Sequence, residues 1–267
     1  MYLAKLSIRA IVFLGLAQNL FAAPANKKLN KCTSGTTLFK DGLGDWAEES
    51  GSTSSWKITD SGLQLVLDAP EDIIRKTNAS DSDNPYNEYS APHSPNFIAS
   101  QLLQYGKVTY NLKTSGIPGA VTAAILIVPG GGDEIDFEML GGDRRKIQTN
   151  YFYGGEIVYG INGGNTDSVD TSSGFHSYTI DWSPERIQWS VDGKVIRTTK
   201  KSQTCKGTVC KYPTHPTSVQ VGLWDSSNPS STAEWAKGPI NWKKDQKVTA
   251  IIKSVSIECN SEYNEIV

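Results

Sequence analysis

Much of this chain sets apolar residues at every second position. In Lys107-Val108-Thr109-Tyr110-Asn111-Leu112 the apolar side chains fall at 108, 110 and 112, the period of a strand with one buried face. Short β-rich runs, many with this period, occupy 62–67, 106–112, 123–128, 134–140, 147–153, 175–182, 187–196, 218–224 and 248–257, separated by turn-forming residues. Asp192-Gly193 splits one of these runs and predicts a two-residue hairpin. Sustained helical periodicity is missing throughout. The pattern predicts an all-β protein, an antiparallel β-sandwich of the jelly-roll kind with an open face for an extended ligand.

The first 25 residues depart from this pattern. Lys5 and Arg9 precede an apolar run over 10–21 that only Gln18 and Asn19 interrupt, and Ala23-Pro24-Ala25 is a small-x-small cleavage sequence. A secretory signal peptide is expected at 1–25, with 26–267 as a single domain, because no linker-like composition break or internal repeat follows. The apolar run is shorter than the roughly 20 residues that cross a bilayer. The tail 258–267 is polar, so neither a stop-transfer helix nor a glycolipid-anchor signal is expected. The mature protein should therefore be secreted, extracellular or in a cell wall, with no membrane segment. Removing Lys5 and Arg9 takes the net charge from −2 to −4.

Composition then excludes partners. With 26 basic against 28 acidic residues, nucleic acid is not expected. The four cysteines gain meaning from export, because thiols pair in an oxidising compartment. Cys205 and Cys210 enclose only Lys-Gly-Thr-Val, which suits a loop staple and leaves Cys32 and Cys259 to join the two ends. That pairing is favoured, and the other two connectivities stay open. Metal and cofactor are not expected: there is no C-x-x-C pair, and His93, His176 and His215 are scattered. Asn78-Ala79-Ser80 is a glycosylation sequon, whereas Asn228-Pro229-Ser230 is excluded by its proline.

The chemistry concentrates in Asp133-Glu134-Ile135-Asp136-Phe137-Glu138-Met139-Leu140. On a strand, Glu134, Asp136 and Glu138 share one face and Ile135, Phe137 and Met139 share the other. Three like charges on neighbouring same-face positions repel and push pKa values up, which suits a proton donor. A pair of carboxylates with separated pKa values is what glycoside cleavage requires. Residues i and i+4 lie roughly 13 Å apart along an ideal strand, whereas retaining enzymes hold their carboxyls about 5–5.5 Å apart, so the side chains must converge. A serine nucleophile elbow, a P-loop and a dinucleotide fingerprint are all missing from the chain.

This segment resembles the active-site signature of glycoside hydrolase family 16 in its E-x-D-x-E form. Its continuation, Gly141-Gly142-Asp143 and then Ile147-Gln148-Thr149-Asn150-Tyr151-Phe152, is similar to the fungal Crh-type cell-wall transglycosylases. The stretches 176–182 and 189–193 resemble later core strands of the family. The resemblance covers most of 100–242. It implies a curved, concanavalin-like jelly roll with a concave sugar-binding cleft and a retaining mechanism. Glu134 would be the nucleophile, Glu138 the acid/base and Asp136 the assisting carboxylate. Gln148 and Asn150 would bind sugar hydroxyls from the next strand, and Trp224 and Trp235 would stack on sugar rings. Trp182, Trp189 and Tyr178 are expected in the core, and Gly130-Gly131-Gly132 is expected to form the turn that feeds the catalytic strand. The implied activity joins chitin to β-glucan. The alternatives are a β-1,3 or β-1,3-1,4 glucan endo-hydrolase and a non-catalytic, lectin-like polysaccharide-binding protein.

Overall fold

Nine β-rich runs, many of them with one apolar face, must cover those faces against one another, and two stacked sheets achieve this. The computed structural model describes residues 30–78, 81–89, 94–156 and 161–267. The expected signal peptide, His93 and the end of the sequon at Asn78 lie outside the described residues.

One sheet orders its strands Gly164–Asp167, Lys146–Phe152, Glu134–Leu140, Ala120–Ile127, Thr217–Asp225, Asn96–Leu103 and Trp46–Ser50. The other runs Lys194–Lys200, Arg186–Val191, His176–Trp182, Gly106–Lys113, Lys247–Cys259, Gly62–Asp68 and Trp56–Thr59, with Gly35–Leu38 also paired to Lys247–Cys259. Neighbouring strands within both sheets are antiparallel. Every predicted strand is present, and Asp192-Gly193 turns Arg186–Val191 into Lys194–Lys200. A six-residue helix, Ser230–Trp235, follows the Thr217–Asp225 strand.

The inward faces meet in one core. Ile135, Phe137 and Met139 of the acid-bearing strand are fully buried, as are Val219, Val221, Tyr110, Tyr178 and Trp189 from the strands around and behind them. Phe137 packs edge-on against Tyr178 at 5.6 Å, a geometry that favours aromatic pairs. Buried indoles need acceptors, and here they find backbone: Trp182 Nε1 donates to Pro213 O at 3.2 Å and Trp189 Nε1 to Asp136 O at 3.0 Å. The three aromatic residues assigned to the core thus lie there. Tyr110 from the second sheet also donates to Ile125 O at 3.0 Å. Since Ile125 pairs with Asp136, two donors from the rear sheet fix the backbone of the acidic strand and of its neighbour.

Both favoured disulfides form, Cys32–Cys259 and Cys205–Cys210. The first reinforces a parallel pairing of Asn30–Cys32 with Asn264–Ile266.

Candidate active site

Strand alternation and register place the candidate residues. Glu134 sits between Ile127 and Phe152, Asp136 between Ile125 and Asn150, and Glu138 between Ala123 and Gln148. Cross-strand partners project to the same side, so the carboxylates share the face turned away from the core with Gln148 and Asn150. Asp136 is 2% exposed and lies within hydrogen-bond reach of the Glu134 carboxyl. Oδ1 of Asp136 and Oδ1 of Asn150 are buried without a hydrogen-bond partner among the described residues.

The two ends of this strand are held by different devices. At its start Asp133, 1% exposed, accepts the N–H groups of Gly154 (2.8 Å), Thr214 (2.7 Å) and His215 (3.0 Å), and lies 2.8 Å from His215 Nδ1. Burial alone would raise its pKa, but these donors prevail and hold the carboxyl below the usual range. The Gly130-Gly131-Gly132 segment forms the expected turn, with Gly131 N–H donating to Val128 O at 2.9 Å. At the strand's far end a Cβ on Gly142 would fall 2.4 Å from Lys237 Cβ and 2.8 Å from Ala236 O. Glycine there lets the Ser230–Trp235 helix close over the strand end.

That helix brings Trp235 to the site. Its Nε1 donates to Gln148 Oε1 at 2.9 Å, and its ring stacks on Trp224 with centroids 5.9 Å apart and planes 22° from parallel. Val121, Leu140 and Ala236 form the buried apolar base beneath the pair. Because Gln148 is the cross-strand partner of Glu138, the aromatic platform stands at the Glu138 end of the row.

The electrostatics follow from crowding. Burial comes first for each member: it raises Glu134, Asp136 and Glu138 above the ordinary carboxylate range. The charge of Asp136 raises both glutamates further. Asp136 is partly relieved by the Asn150 backbone, Arg197 and Glu134. A carboxyl that keeps its proton to higher pH when folded adds stability fully present below pH about 4, which is lost as pH rises through neutrality. Asp136→Asn should therefore melt near the wild-type temperature at pH 4 and above it at pH 8. The expected gain is about 1–3 kcal/mol, roughly 3–10 °C for a chain of this size. A calorimetric pH series checks it, and an equal or lower melting temperature at pH 8 would show that the carboxylates do not strain one another.

The sequence reading missed a polar row on the same face. Asn96 Nδ2 donates to Gln220 Oε1 at 2.9 Å and to Glu49 Oε2 at 2.5 Å, and Gln220 Nε2 donates to Ser218 Oγ at 3.1 Å. Alternation of Ser218, Gln220, Gly222 and Trp224 along one strand was the available signal. Among the described residues no cluster of His, Cys, Asp and Glu is arranged to hold a metal ion.

The family model for glycosyl hydrolases family 16 matches residues 45–244. Congo red hypersensitive protein 2 of Saccharomyces cerevisiae is 36% identical over 171 residues, covering 60% of this chain and 36% of that protein. Crh-like protein 2 of Aspergillus fumigatus is 38% identical over 172 residues, covering 60% and 38%. This chain thus spans well under half the length of these curated relatives. Among solved structures, the Crh5 transglycosylase in complex with NAG superposes with a TM-score of 0.72 and 28% identity, over 89% of this chain and 88% of that one. A Bacillus licheniformis β-glucanase shares the fold, with a TM-score of 0.67 and 22% identity over 86% of this chain and 99% of that chain.

Proposed function

We propose that this chain, which belongs to glycosyl hydrolase family 16, is a secreted retaining transglycosylase that joins chitin to β-glucan in a cell wall. The observation that carries the reading is the row Glu134, Asp136 and Glu138 on one sheet face turned away from the core, with an aromatic platform at its Glu138 end.

Glu134, as carboxylate, attacks the anomeric carbon of the donor sugar. Glu138, kept protonated by burial and by its neighbours' charge, gives its proton to the departing glycosidic oxygen. The bond to the leaving sugar breaks as the Glu134 ester forms. In the second half an acceptor hydroxyl loses its proton to Glu138 and displaces Glu134, which restores both carboxyls and the original anomeric configuration. Asp136, in reach of Glu134, takes up or returns part of the charge as the ester forms and breaks.

Transfer outcompetes hydrolysis where an acceptor sugar occupies the place of water beside Glu138. The Trp224–Trp235 platform lies at that end of the row, and the apolar face of a pyranose suits an exposed aromatic face. The resemblance to Crh-type proteins supports chitin and β-glucan as the two polymers. Export is supported by the apparent signal peptide at 1–25 and by the paired cysteines. Among the described residues no helix is long and apolar enough to cross a membrane.

The test is product analysis of purified protein mixed with chitin oligosaccharides and a fluorescent β-1,3-glucan oligosaccharide. Labelled hybrids larger than the starting glucan are expected. Shortened glucan alone would transfer the assignment to an endo-hydrolase, and binding without any new product would leave a lectin.

A further inference from the structure

Among the described residues Arg197 is a partly buried cation without an ionic partner. It belongs to the edge strand Lys194–Lys200 of the rear sheet, yet its guanidinium lies over the Trp189 ring, 4.7 Å from the centroid. From there Nη1 donates to Thr149 O at 2.8 Å and Thr149 Oγ1 at 2.9 Å, and Nη2 donates to Asn162 O at 2.6 Å. All three acceptors are neutral. Among the described residues no carboxylate forms an ion pair with it.

The opposite deficit lies across the same sheet. Glu134, Asp136 and Glu138 likewise take part in no ion pair among the described residues. The strand Arg197 grips is their neighbour: Thr149 pairs with Phe137, and the adjacent Asn150 and Gln148 pair with Asp136 and Glu138. Trp189, on whose face the guanidinium rests, also donates to Asp136 O. A single cation held behind the sheet offsets the charge of Asp136 in front of it without an ion pair and without occupying the face that a sugar would use.

We propose that Arg197 is a positioning residue for the carboxylate row: its fork fixes the strand that presents Gln148 and Asn150, and its charge, acting through the sheet, lets the row carry negative charge at the start of the reaction. The proposal rests on the enzymatic reading given above. Of the groups packed around this layer, Glu134, Asp136 and Glu138 come from one strand and Tyr151 from the next. Tyr110 and Tyr178 come from the rear sheet, with burial raising the pKa of both. The strand Ala120–Ile127 on the row's other flank has no titratable side chain. The charges of Asp136 and Arg197 favour one another's ionised forms.

The experiment compares Arg197→Gln, which keeps a donor and loses the charge, with Arg197→Lys, which keeps the charge and loses the fork. Loss of the cation should raise the pKa of Asp136, which lies in reach of Glu134. The acid limb of kcat/KM for hybrid formation should therefore move up by about one pH unit in Arg197→Gln, about ten-fold slower below the limb. In Arg197→Lys the limb should stay in place while kcat falls a few-fold. Wild-type limbs in both variants, with stability alone reduced, would overturn the proposal.

Carboxyl titration of the free protein by 13C NMR reads the same charge without turnover. An upward move of the Asp136 transition in Arg197→Gln supports the proposal even where the wild type transfers no sugar, and an unmoved transition overturns it whatever the activity. Should Arg197→Gln not fold, Arg197→Lys decides: an Asp136 transition kept at its wild-type position supports the proposal, and one displaced by a unit overturns it.

Discussion

Glu134→Gln is expected to form no glycosyl ester and to lose at least about 10⁴-fold in turnover, the scale seen when a nucleophile is removed from a cooperating set. The amide has the shape of the carboxyl but cannot attack the anomeric carbon. It also removes one charge from a crowded row, so folding should be retained or improved. Intact-protein mass spectrometry after mixing with donor oligosaccharide should detect a sugar adduct on the wild type and none on the variant, with oligosaccharide binding preserved in both. Turnover within ten-fold of wild type would remove Glu134 from the mechanism.

Glu138→Gln separates the two halves of the reaction. Without a proton donor, natural donors with poor leaving groups should react about 10²–10⁴-fold more slowly. An aryl glycoside whose phenol departs without help should regain the first step. The ester then persists, because no base deprotonates the acceptor, and the adduct should build up. A small anionic nucleophile such as azide needs no deprotonation and should release it with retained configuration. If donors with good and poor leaving groups slow equally, Glu138 has another role.

The strands were legible where one face meets the core and the other meets solvent, as in Gly106–Lys113. They were not legible where that contrast fades. Trp46–Ser50 is a sheet-edge strand with adjacent acids, Glu48 and Glu49. In Asn96–Leu103, the adjacent Leu102 and Leu103 break the alternation, and the pairing with Thr217–Asp225 shifts register there. The paired strands Ile74–Asn78 and Asp81–Glu88 lie outside both sheets and need no apolar period. The carboxylate row was legible because its order in sequence is its order in space. Asp133 stood inside the same motif, but its partners come from Gly154, Thr214 and His215, up to 82 residues away, and local spacing carries no trace of them. Arg197 was invisible for a related reason: its importance depends on which strand of the rear sheet stands behind Thr149, a matter of stacking that no pattern along the chain encodes.

The Cys32–Cys259 bond has a mechanical meaning. It closes a loop across 227 residues, so tension applied to the two ends of the described chain runs through one covalent link rather than through the hydrogen-bonded sheets. Stretched out, that loop would add several hundred ångströms of slack, all of it withheld while the link is intact. Under the proposed function, an enzyme held among wall polymers would keep its carboxylate row in place while its ends are pulled.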